Sequence, residues 1–199
     1  MARKRNDATV FITGAGGGLG GATARYLAER DWKVFAADFD AKALKALAAE
    51  ADVTPVQLDV TDATSCEAAR RRVAGACDGL DGVVNFAGIL AVGSVIEIDP
   101  DTIRRVLDVN VMGTVRVNHA LFPLVLARKG RIVNISSITA GSSIRGQLAH
   151  HVGKTAEVQL TLSMAADLGP KIRVNAVLPT AVLTDRLRNT SRDLGEARE

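Results

Sequence analysis

The chain has 199 residues, of which 47% are apolar and 4% aromatic, so it can bury the core of one larger globular domain. Its net charge is +3, and Arg3, Lys4 and Arg5 account for all of it, which argues against a folded basic surface for nucleic acid. No apolar run is long enough to span a bilayer, and no apolar signal segment follows the basic N-terminus. We therefore expect a cytoplasmic protein without nucleic-acid or membrane partners.

The first predicted strand runs directly into a cluster of glycines. Residues 9–13 are apolar or β-branched, a glycine-rich turn occupies residues 14–18, and a helical pattern of apolar residues begins at Leu19. A strand that ends in such a turn and continues as a helix directs backbone N–H groups and a positive helix end toward one point. The turn therefore predicts an anion site, most often for a pyrophosphate; the plainer alternative is an ordinary strand–helix loop.

The second predicted strand, residues 32–37, ends at Asp38. Asp40 then has the position of an N-cap for a helix over Ala41–Glu50. Asp38 lies twenty residues after Gly18, where a carboxylate at the end of a second strand can accept hydrogen bonds from an adenosine ribose. The alternative is a solvated acid in a loop. An aspartate there would repel a 2′-phosphate, which favours NAD over NADP.

Strands and helices continue to alternate along the rest of the chain. Further strands are predicted at residues 53–58, 80–86, 131–137 and 172–178, and helices at 101–128, in two segments with a kink at Pro123, and at 150–168. This alternation predicts an α/β fold, a doubly wound parallel sheet of the Rossmann type in a three-layer αβα sandwich. Ligands are then expected at the carboxyl ends of the strands.

A further helix is predicted after the third strand, with Thr64 and Glu67 spaced as a capping box. We expect the same helix to carry both cysteines, Cys66 and Cys77, roughly 16 Å apart by helical rise. They could not form a disulfide across that distance, and neither has the spacing of a metal site, so both are predicted to be reduced thiols.

Four further motifs stand in order along this pattern. They are Asn85-Phe86-Ala87-Gly88, Asn110, Ile132-Val133-Asn134-Ile135-Ser136-Ser137 and Ile172-Arg173-Val174-Asn175-Ala176-Val177-Leu178-Pro179. Together with Thr13-Gly14-Ala15-Gly16-Gly17-Gly18-Leu19-Gly20, they resemble the motifs of the short-chain dehydrogenase/reductase superfamily over almost the whole chain. The resemblance implies hydride transfer between a nicotinamide cofactor and a secondary alcohol or ketone, by a homodimer or homotetramer.

The resemblance also implies a role for each matched residue. The implied cofactor residues are Gly14, Gly18 and Gly20 at the pyrophosphate, Asp38 at the adenosine ribose, Asp59 at the adenine, Asn85 and Gly88 along the cleft, Lys154 at the nicotinamide ribose, Thr184 at the carboxamide, and in addition Leu19, Val60, Ala87 and Pro179. Ser137 would hydrogen-bond the substrate oxygen, and Asn110 would hold a water on the proton path. Taken alone, either residue could equally be a capping or loop residue. No metal ligand is implied.

The chain departs from the family pattern at the reacting centre. It reads His150-His151-Val152-Gly153-Lys154 where the family has a tyrosine one helical turn before the lysine, and its only tyrosine is Tyr26. His150 and Lys154 should share a helix face, whereas His151 is turned by about 100° and is expected to be structural. An imidazole starts near a pKa of ~6.5, and the positive charges of the site favour its neutral form. A catalytic His150 should therefore serve alcohol oxidation better than carbonyl reduction.

Three interpretations of His150 stay open. It is a natural variant with its own chemistry, an engineered knock-out, or a relic in a protein that binds NAD without using it. The alternative function is accordingly a non-catalytic NAD-binding regulatory or scaffold protein. A weaker third hypothesis is a redox-neutral lyase or isomerase on the same scaffold.

The second departure is at the C-terminus, where the family continues with a substrate lid and a seventh strand. We expect either an incomplete chain or a disordered lid, rather than a sheet edge left open to association. Smaller departures are Phe86 for an asparagine and Thr180 for a glycine. The substrate itself is not predicted, because the loops at residues 89–99 and 140–149 are mostly small and apolar.

Overall fold

The structure, a computed structural model, describes residues 7–184. Six strands in that range form one parallel sheet in the order β3-β2-β1-β4-β5-β6. The strands are β1 (Thr9–Thr13), β2 (Lys33–Asp38), β3 (Val53–Gln57), β4 (Gly82–Asn85), β5 (Arg131–Ile135) and β6 (Arg173–Val177). The α-helices are α1 (Gly18–Ala28), α2 (Ala41–Glu50), α3 (Ala63–Ala74), α4 (Pro100–Leu107), α5 (Gly113–Ala127) and α6 (Leu148–Leu168).

Strand β1 is buried on both faces, and its alternating side chains divide the core into two layers. Val10 and Ile12 pack in a cluster with Leu44 of α2. Phe11 points the other way, into a cluster with Val73 of α3 and Leu121 of α5. The doubly wound α/β prediction is confirmed. The strand order reverses between β1 and β4, which opens a crevice at their carboxyl ends.

The helix after β3 differs from its prediction in two respects. Its N-cap is Asp62, whose side chain accepts a hydrogen bond from the backbone N–H of Thr64 at 2.8 Å. Glu67 instead pairs with Arg70 one turn later, so the predicted capping box is wrong. Asp62 caps the helix in place of Thr64, because a carboxylate one residue before the first turn can accept hydrogen bonds from the free N–H groups directly.

The two cysteines do not share one helix, because α3 ends at Ala74 and Cys77 lies beyond it. Both are free thiols, as predicted. Cys66 lies in the core, and burial raises the pKa of its thiol to about 11. It is therefore a packing residue and a poor nucleophile at neutral pH.

The predicted pair of helices between residues 101 and 128 is present, with a π-helical turn, Asp108–Met112, between α4 and α5. A π-turn inserts one extra residue into the helix, and it frequently occurs at functional sites. The turn contains Asn110, which is 1% exposed. Pro123 lies inside α5, as expected. No helix within residues 7–184 combines the length and the apolarity needed to cross a membrane.

Candidate active site

The glycine turn between β1 and α1 forms a cradle in which added side chains would collide with neighbouring atoms, at Gly14 and Gly20 with backbone. Gly14 has a φ of +64°, and a Cβ there would lie 2.7 Å from the backbone nitrogen of Ala87. A Cβ on Gly20 would lie against the carbonyl oxygen of Gly14, and one on Gly18 would come within 2.8 Å of the Thr184 methyl group. Helix α1 starts after Gly17 without a side-chain cap. The positive end of the helix therefore faces the turn, and Leu19 lies in its first turn.

Asp38 closes the β2 end of this cradle. One of its carboxylate oxygens accepts a hydrogen bond from the Gly16 N–H at 2.9 Å, and the other accepts one from the Asp40 N–H at 2.9 Å. A Cβ on Gly16 would lie 2.7 Å from the Ala43 Cβ, so the turn, β2 and α2 are in close contact. The arrangement holds a half-buried carboxylate beside the helix N-terminus.

Asp59 and Val60 follow β3. The Asp59 carboxylate accepts hydrogen bonds from the Thr61 N–H at 2.8 Å and from the Thr61 hydroxyl at 2.6 Å, forming a local turn. Val60 is buried against Gly113, where a Cβ would come within 2.7 Å of the valine methyl group. The two residues are thus held at the carboxyl end of the sheet, on the same side as Asp38.

The Asn85 side chain is directed into the protein. Its amide nitrogen donates to the side-chain oxygens of Asn118 at 3.0 Å and Asn134 at 2.9 Å, and Asn134 in turn donates to Thr161. The network joins β4 and β5 to α5 and α6. The amide nitrogen of Asn85 therefore helps to hold the helices on the sheet, while its amide oxygen is buried without a hydrogen-bond partner among the described residues. Its role along the cofactor cleft remains a prediction.

Ala87 and Gly88 continue from β4 toward Asn110. The Ala87 N–H donates to the Thr13 hydroxyl at 3.1 Å, and a Cβ on Gly88 would lie 3.2 Å from the Asn110 side-chain oxygen. Asn110 accepts from the Ile89 N–H at 2.8 Å and donates to the Ile89 carbonyl at 3.0 Å. Its amide thus fixes the loop after β4, and the water that it was predicted to hold remains a prediction.

Ser137 lies just beyond β5 and caps a short 3₁₀ helix, Ile138–Gly141. Its hydroxyl oxygen accepts hydrogen bonds from the Thr139 N–H at 3.2 Å and from the Thr139 hydroxyl at 2.9 Å. Because both of these bonds use oxygen lone pairs, the serine proton is left to donate to a further acceptor. The Pro179 carbonyl accepts from the Ile138 N–H at 3.1 Å, which brings the end of β6 to the same place.

Helix α6 presents His150 and Lys154 to this end of β5. The Lys154 ammonium donates to the Ile135 carbonyl at 2.7 Å, two residues before Ser137. His150 is half-buried in the first turn of α6, and its ring lies edge-on to that of His151, with 5.8 Å between the centroids. The structure therefore brings Ser137 and Lys154 to one end of β5, with His150 one helical turn before Lys154 on α6.

His151 is buried, and its Nε2 accepts a weak hydrogen bond from the Ile144 N–H at 3.4 Å. Burial lowers the pKa of this imidazole, which fits a neutral packing residue. An open cavity of about 790 Å³ lies between α6 and the loop after β5, and it is lined by His151, Ile144 and Gln159 among others. His150, Ser137 and Lys154 are not among the residues that line it, although His151, which contacts the His150 ring, is.

Glu157 contacts Lys154 in the candidate site, and it was not predicted from the sequence. Its carboxylate accepts a hydrogen bond from the Lys154 ammonium at 2.8 Å, and it is 3% exposed. Burial raises its pKa to about 7 from the ordinary value of 4.5, against the opposing pull of Lys154. The available signal was its spacing, because positions 150, 154 and 157 fall on one helical face.

Comparison with known proteins agrees with this geometry. A family model described as "short chain dehydrogenase" matches residues 8–195. The chain belongs to this family. It is 36% identical over 191 residues to a 2-keto-3-deoxy-L-fuconate dehydrogenase of Xanthomonas campestris, covering 93% of the chain and 62% of that relative. It is 34% identical over 184 residues to a meso-2,3-butanediol dehydrogenase of Serratia marcescens, covering 90% of the chain and 73% of that relative.

A solved structure gives the same result for the fold of this short-chain dehydrogenase. The ligand-free aldohexose dehydrogenase of Thermoplasma acidophilum superposes with a TM-score of 0.87 at 29% identity, over 94% of this chain and 71% of that one. With 62% of the Xanthomonas relative covered, the chain spans less than two thirds of the length of that protein. The resemblance to the superfamily is confirmed, and residues 185–199, where the lid was expected, lie outside the described residues.

Proposed function

We propose that this chain is an NAD-dependent oxidoreductase that interconverts a secondary alcohol and a ketone. The observation that supports this most directly is the arrangement along one sheet edge. A glycine cradle with a carboxylate at its far end lies beside β1 and β2. Ser137 and Lys154 lie at the end of β5, two strands away, and His150 is one helical turn before Lys154 on α6.

The cradle fits an adenine dinucleotide. Gly14 and Gly20 allow the turn to pack directly against neighbouring backbone, as a phosphate-binding turn requires. The N-terminus of α1 would attract a pyrophosphate, and Asp38 would accept hydrogen bonds from ribose hydroxyls. Gly14, Gly18, Leu19 and Gly20 would hold the pyrophosphate. Each carboxylate oxygen of Asp38 keeps acceptor capacity beyond its single backbone bond. The negative charge disfavours a 2′-phosphate, so NAD is proposed over NADP.

The reacting groups act on the substrate oxygen. The Ser137 hydroxyl donates a hydrogen bond to that oxygen, and Lys154 is placed to hold the nicotinamide ribose. In alcohol oxidation, the O–H proton of the substrate moves to a nitrogen of the His150 imidazole, and a ketone is formed. A bound nicotinamide supplies the acceptor for the hydride that leaves the carbinol carbon.

The deciding experiment has two parts. NADH binding to the purified chain is measured by fluorescence or calorimetry, and absence of binding would overturn the proposal. A panel of secondary alcohols, including 2,3-butanediols and aldohexoses because the relatives act on such compounds by name, is then assayed with NAD. We expect turnover that falls by ~10²–10⁴-fold in His150→Ala, the usual contribution of a positioned proton-transfer group.

A second candidate function, a non-catalytic NAD-binding protein, is favoured by one observation. The chain's only tyrosine, Tyr26, is exposed on α1 with the Arg30 guanidinium 3.5 Å from its ring centroid. The usual proton donor of the family is thus absent from the cleft. NADH binding without turnover across the panel, together with a large gain of activity in His150→Tyr, would support this candidate. Loss of activity in the same variant would support a catalytic His150.

The remaining expectations follow the family resemblance. We propose a homodimer or homotetramer, which the molecular mass in solution will test. A cytoplasmic location remains a prediction from the sequence.

A further inference from the structure

Lys154 and Glu157 form a largely buried ion pair on the face of α6 that packs against β5. The Lys154 ammonium donates to a Glu157 carboxylate oxygen at 2.8 Å and to the Ile135 carbonyl at 2.7 Å. An ammonium has three N–H donors, so one is left for a further acceptor. The side chains of Lys154 and Glu157 are 15% and 3% exposed, so solvent screens their charges little.

Strand β5 fixes the backbone on which both members of the pair stand. The Ser136 hydroxyl, just beyond the strand, donates to the Lys154 carbonyl at 2.7 Å. The Thr161 hydroxyl donates to the Glu157 carbonyl at 2.7 Å and accepts a hydrogen bond from the Asn134 side chain at 2.9 Å. The sheet therefore sets the positions of the two charges.

Packing alone does not require a carboxylate at position 157. Replacing a buried ion pair by apolar side chains of similar volume is often neutral or stabilising, because the charges must leave water. The cost of burial is visible in this carboxyl, since it raises the pKa of Glu157 to about 7. The charge therefore points to a role in the site rather than in the core.

We propose that Glu157 is a positioning residue that acts through Lys154: its carboxylate offsets the ammonium charge beside the nicotinamide ribose and thereby favours binding of NAD⁺ over NADH. The inference rests on the proposed function, in which Lys154 holds that ribose. The nicotinamide ring is positively charged in NAD⁺ and neutral in NADH, whereas the rest of the two cofactors is identical. An ammonium without a counter-charge would therefore disfavour NAD⁺ selectively.

Within residues 7–184, Glu157 is the acidic side chain that pairs with Lys154. Arg131 and Arg173 begin β5 and β6 at the opposite end of the sheet. The other ionisable side chains on α6 and on the elements and loops around it are the ion pairs Asp101–Arg104 and Asp108–Arg116, and Asp99, Arg105, His119, Arg145, His150, His151, Asp167 and Lys171. Among all of these, Lys154 is the charged group that acts on the pKa of Glu157. The counter-charge of Lys154 thus depends on position 157.

The test compares the affinities of the full chain for the two cofactors at pH 9, where Glu157 is ionised. NADH binding is followed by fluorescence, and NAD⁺ binding by its displacement of NADH. Glu157→Gln keeps an oxygen that can accept from Lys154 but removes the charge. A unit charge about 15 Å away, at an effective dielectric constant near 20, changes an affinity by about fivefold. We therefore expect the ratio of Kd for NAD⁺ to Kd for NADH to rise about fivefold. A purely structural role would weaken both cofactors alike and leave the ratio unchanged.

A pH series tests the same charge without a substitution at position 157. Because the pKa of Glu157 is raised to about 7, its carboxylate is present at pH 9 and mostly protonated at pH 6. The ratio of the two Kd values should therefore rise about fivefold as the pH falls from 9 to 6. The series is carried out in His150→Gln, so that position 150 carries no charge at any pH. The double variant His150→Gln/Glu157→Gln should give a ratio that is high and independent of pH.

Asp167→Asn is the matched control, because it removes an exposed, solvent-screened carboxylate from the same helix and should leave the ratio unchanged at pH 9. Binding of both cofactors with an equal ratio in the wild type and Glu157→Gln would overturn the inference and leave the proposed function intact. A ratio in His150→Gln that does not change with pH would overturn it as well, even where Glu157→Gln does not fold. If neither cofactor binds the wild-type chain, the proposed function fails, and this inference fails with it.

Discussion

The half of the cleft at β1 and β2 is built from backbone, whereas the half at β5 and α6 is built from side chains. Gly14, Gly16 and Gly20 shape the first half because they have no Cβ atom, and Asp38 is held there by two backbone N–H groups. In the second half, Lys154 is tied to a strand carbonyl and to the Glu157 carboxylate. The first half contains the glycine turn that resembles the family motif, and the second contains His150, which is predicted to take the place of the family's tyrosine.

This difference determines which substitutions each half of the cleft can accept. An atom added at Gly14 or Gly20 collides with main chain, which can move aside only by shifting whole segments, so the geometry of that half allows little variation. Side chains at the end of β5 interact through charge, and one charge can be offset by another at a nearby position.

The largest expected effect is on stability, and it concerns Glu157 in the half of the cleft at β5 and α6. The pKa of Glu157 is raised from 4.5 to about 7, so the folded chain keeps this proton when the unfolded chain has lost it. The stabilisation is therefore complete below pH 4.5 and is lost as the pH rises through 7. Between pH 4.5 and pH 8 the wild type should lose about 3 kcal/mol of unfolding free energy that Glu157→Gln does not lose.

Urea unfolding of both proteins at the two pH values provides the measurement. Because all other titrating groups are shared, the difference between the two proteins isolates this carboxyl. Asp167→Asn serves as the control, since its exposed carboxylate should give a pH dependence parallel to that of the wild type. Parallel curves for Glu157→Gln as well would show that the carboxyl is not held out of water.

The sequence predicted the backbone-built half better than the other half. The glycine turn, the second strand and the helix Ala41–Glu50 with its Asp40 cap are all present, because local turn chemistry and capping determine them. The capping box at Thr64 failed for a related reason, since Asp62 was the better cap. In both cases the outcome depended on residues close together in the chain.

The side-chain half depended on contacts that no local pattern contains. The Asn85 amide nitrogen donates to Asn118 and Asn134, which lie 33 and 49 residues further along the chain. The charge of Glu157 on a buried face shows only when α6 is packed against β5. The π-helical turn that carries Asn110 could not be predicted from helical periodicity either, because it adds one residue to an otherwise regular pattern.

The next prediction tests the backbone-built half. Gly14→Ala places a Cβ at a φ of +64° and 2.7 Å from the Ala87 nitrogen, so β1 and the loop after β4 must move apart. Overpacking of this kind costs about 1–3 kcal/mol, and we expect NADH binding to weaken about 10- to 100-fold, measured by calorimetry. Gly141→Ala is the control, because nothing lies within 4 Å of the added Cβ. Unchanged affinity in Gly14→Ala would mean that the turn does not contact the dinucleotide.

The smallest expected effect is on the choice between NADPH and NADH. It concerns Asp38, whose carboxylate is the charged side chain in the backbone-built half. Asp38→Asn keeps an oxygen acceptor for the Gly16 N–H but removes the negative charge that opposes a 2′-phosphate. We expect the ratio of NADPH to NADH affinity to rise about five- to thirtyfold, which corresponds to about 1–2 kcal/mol for one partly screened charge pair. Asp40→Asn is the matched control, because asparagine caps a helix as well as aspartate does and the Asp40 side chain bonds only into α2. If both variants shift the ratio equally, the selectivity comes from the overall charge of this edge, and Asp38 has no specific role at the ribose.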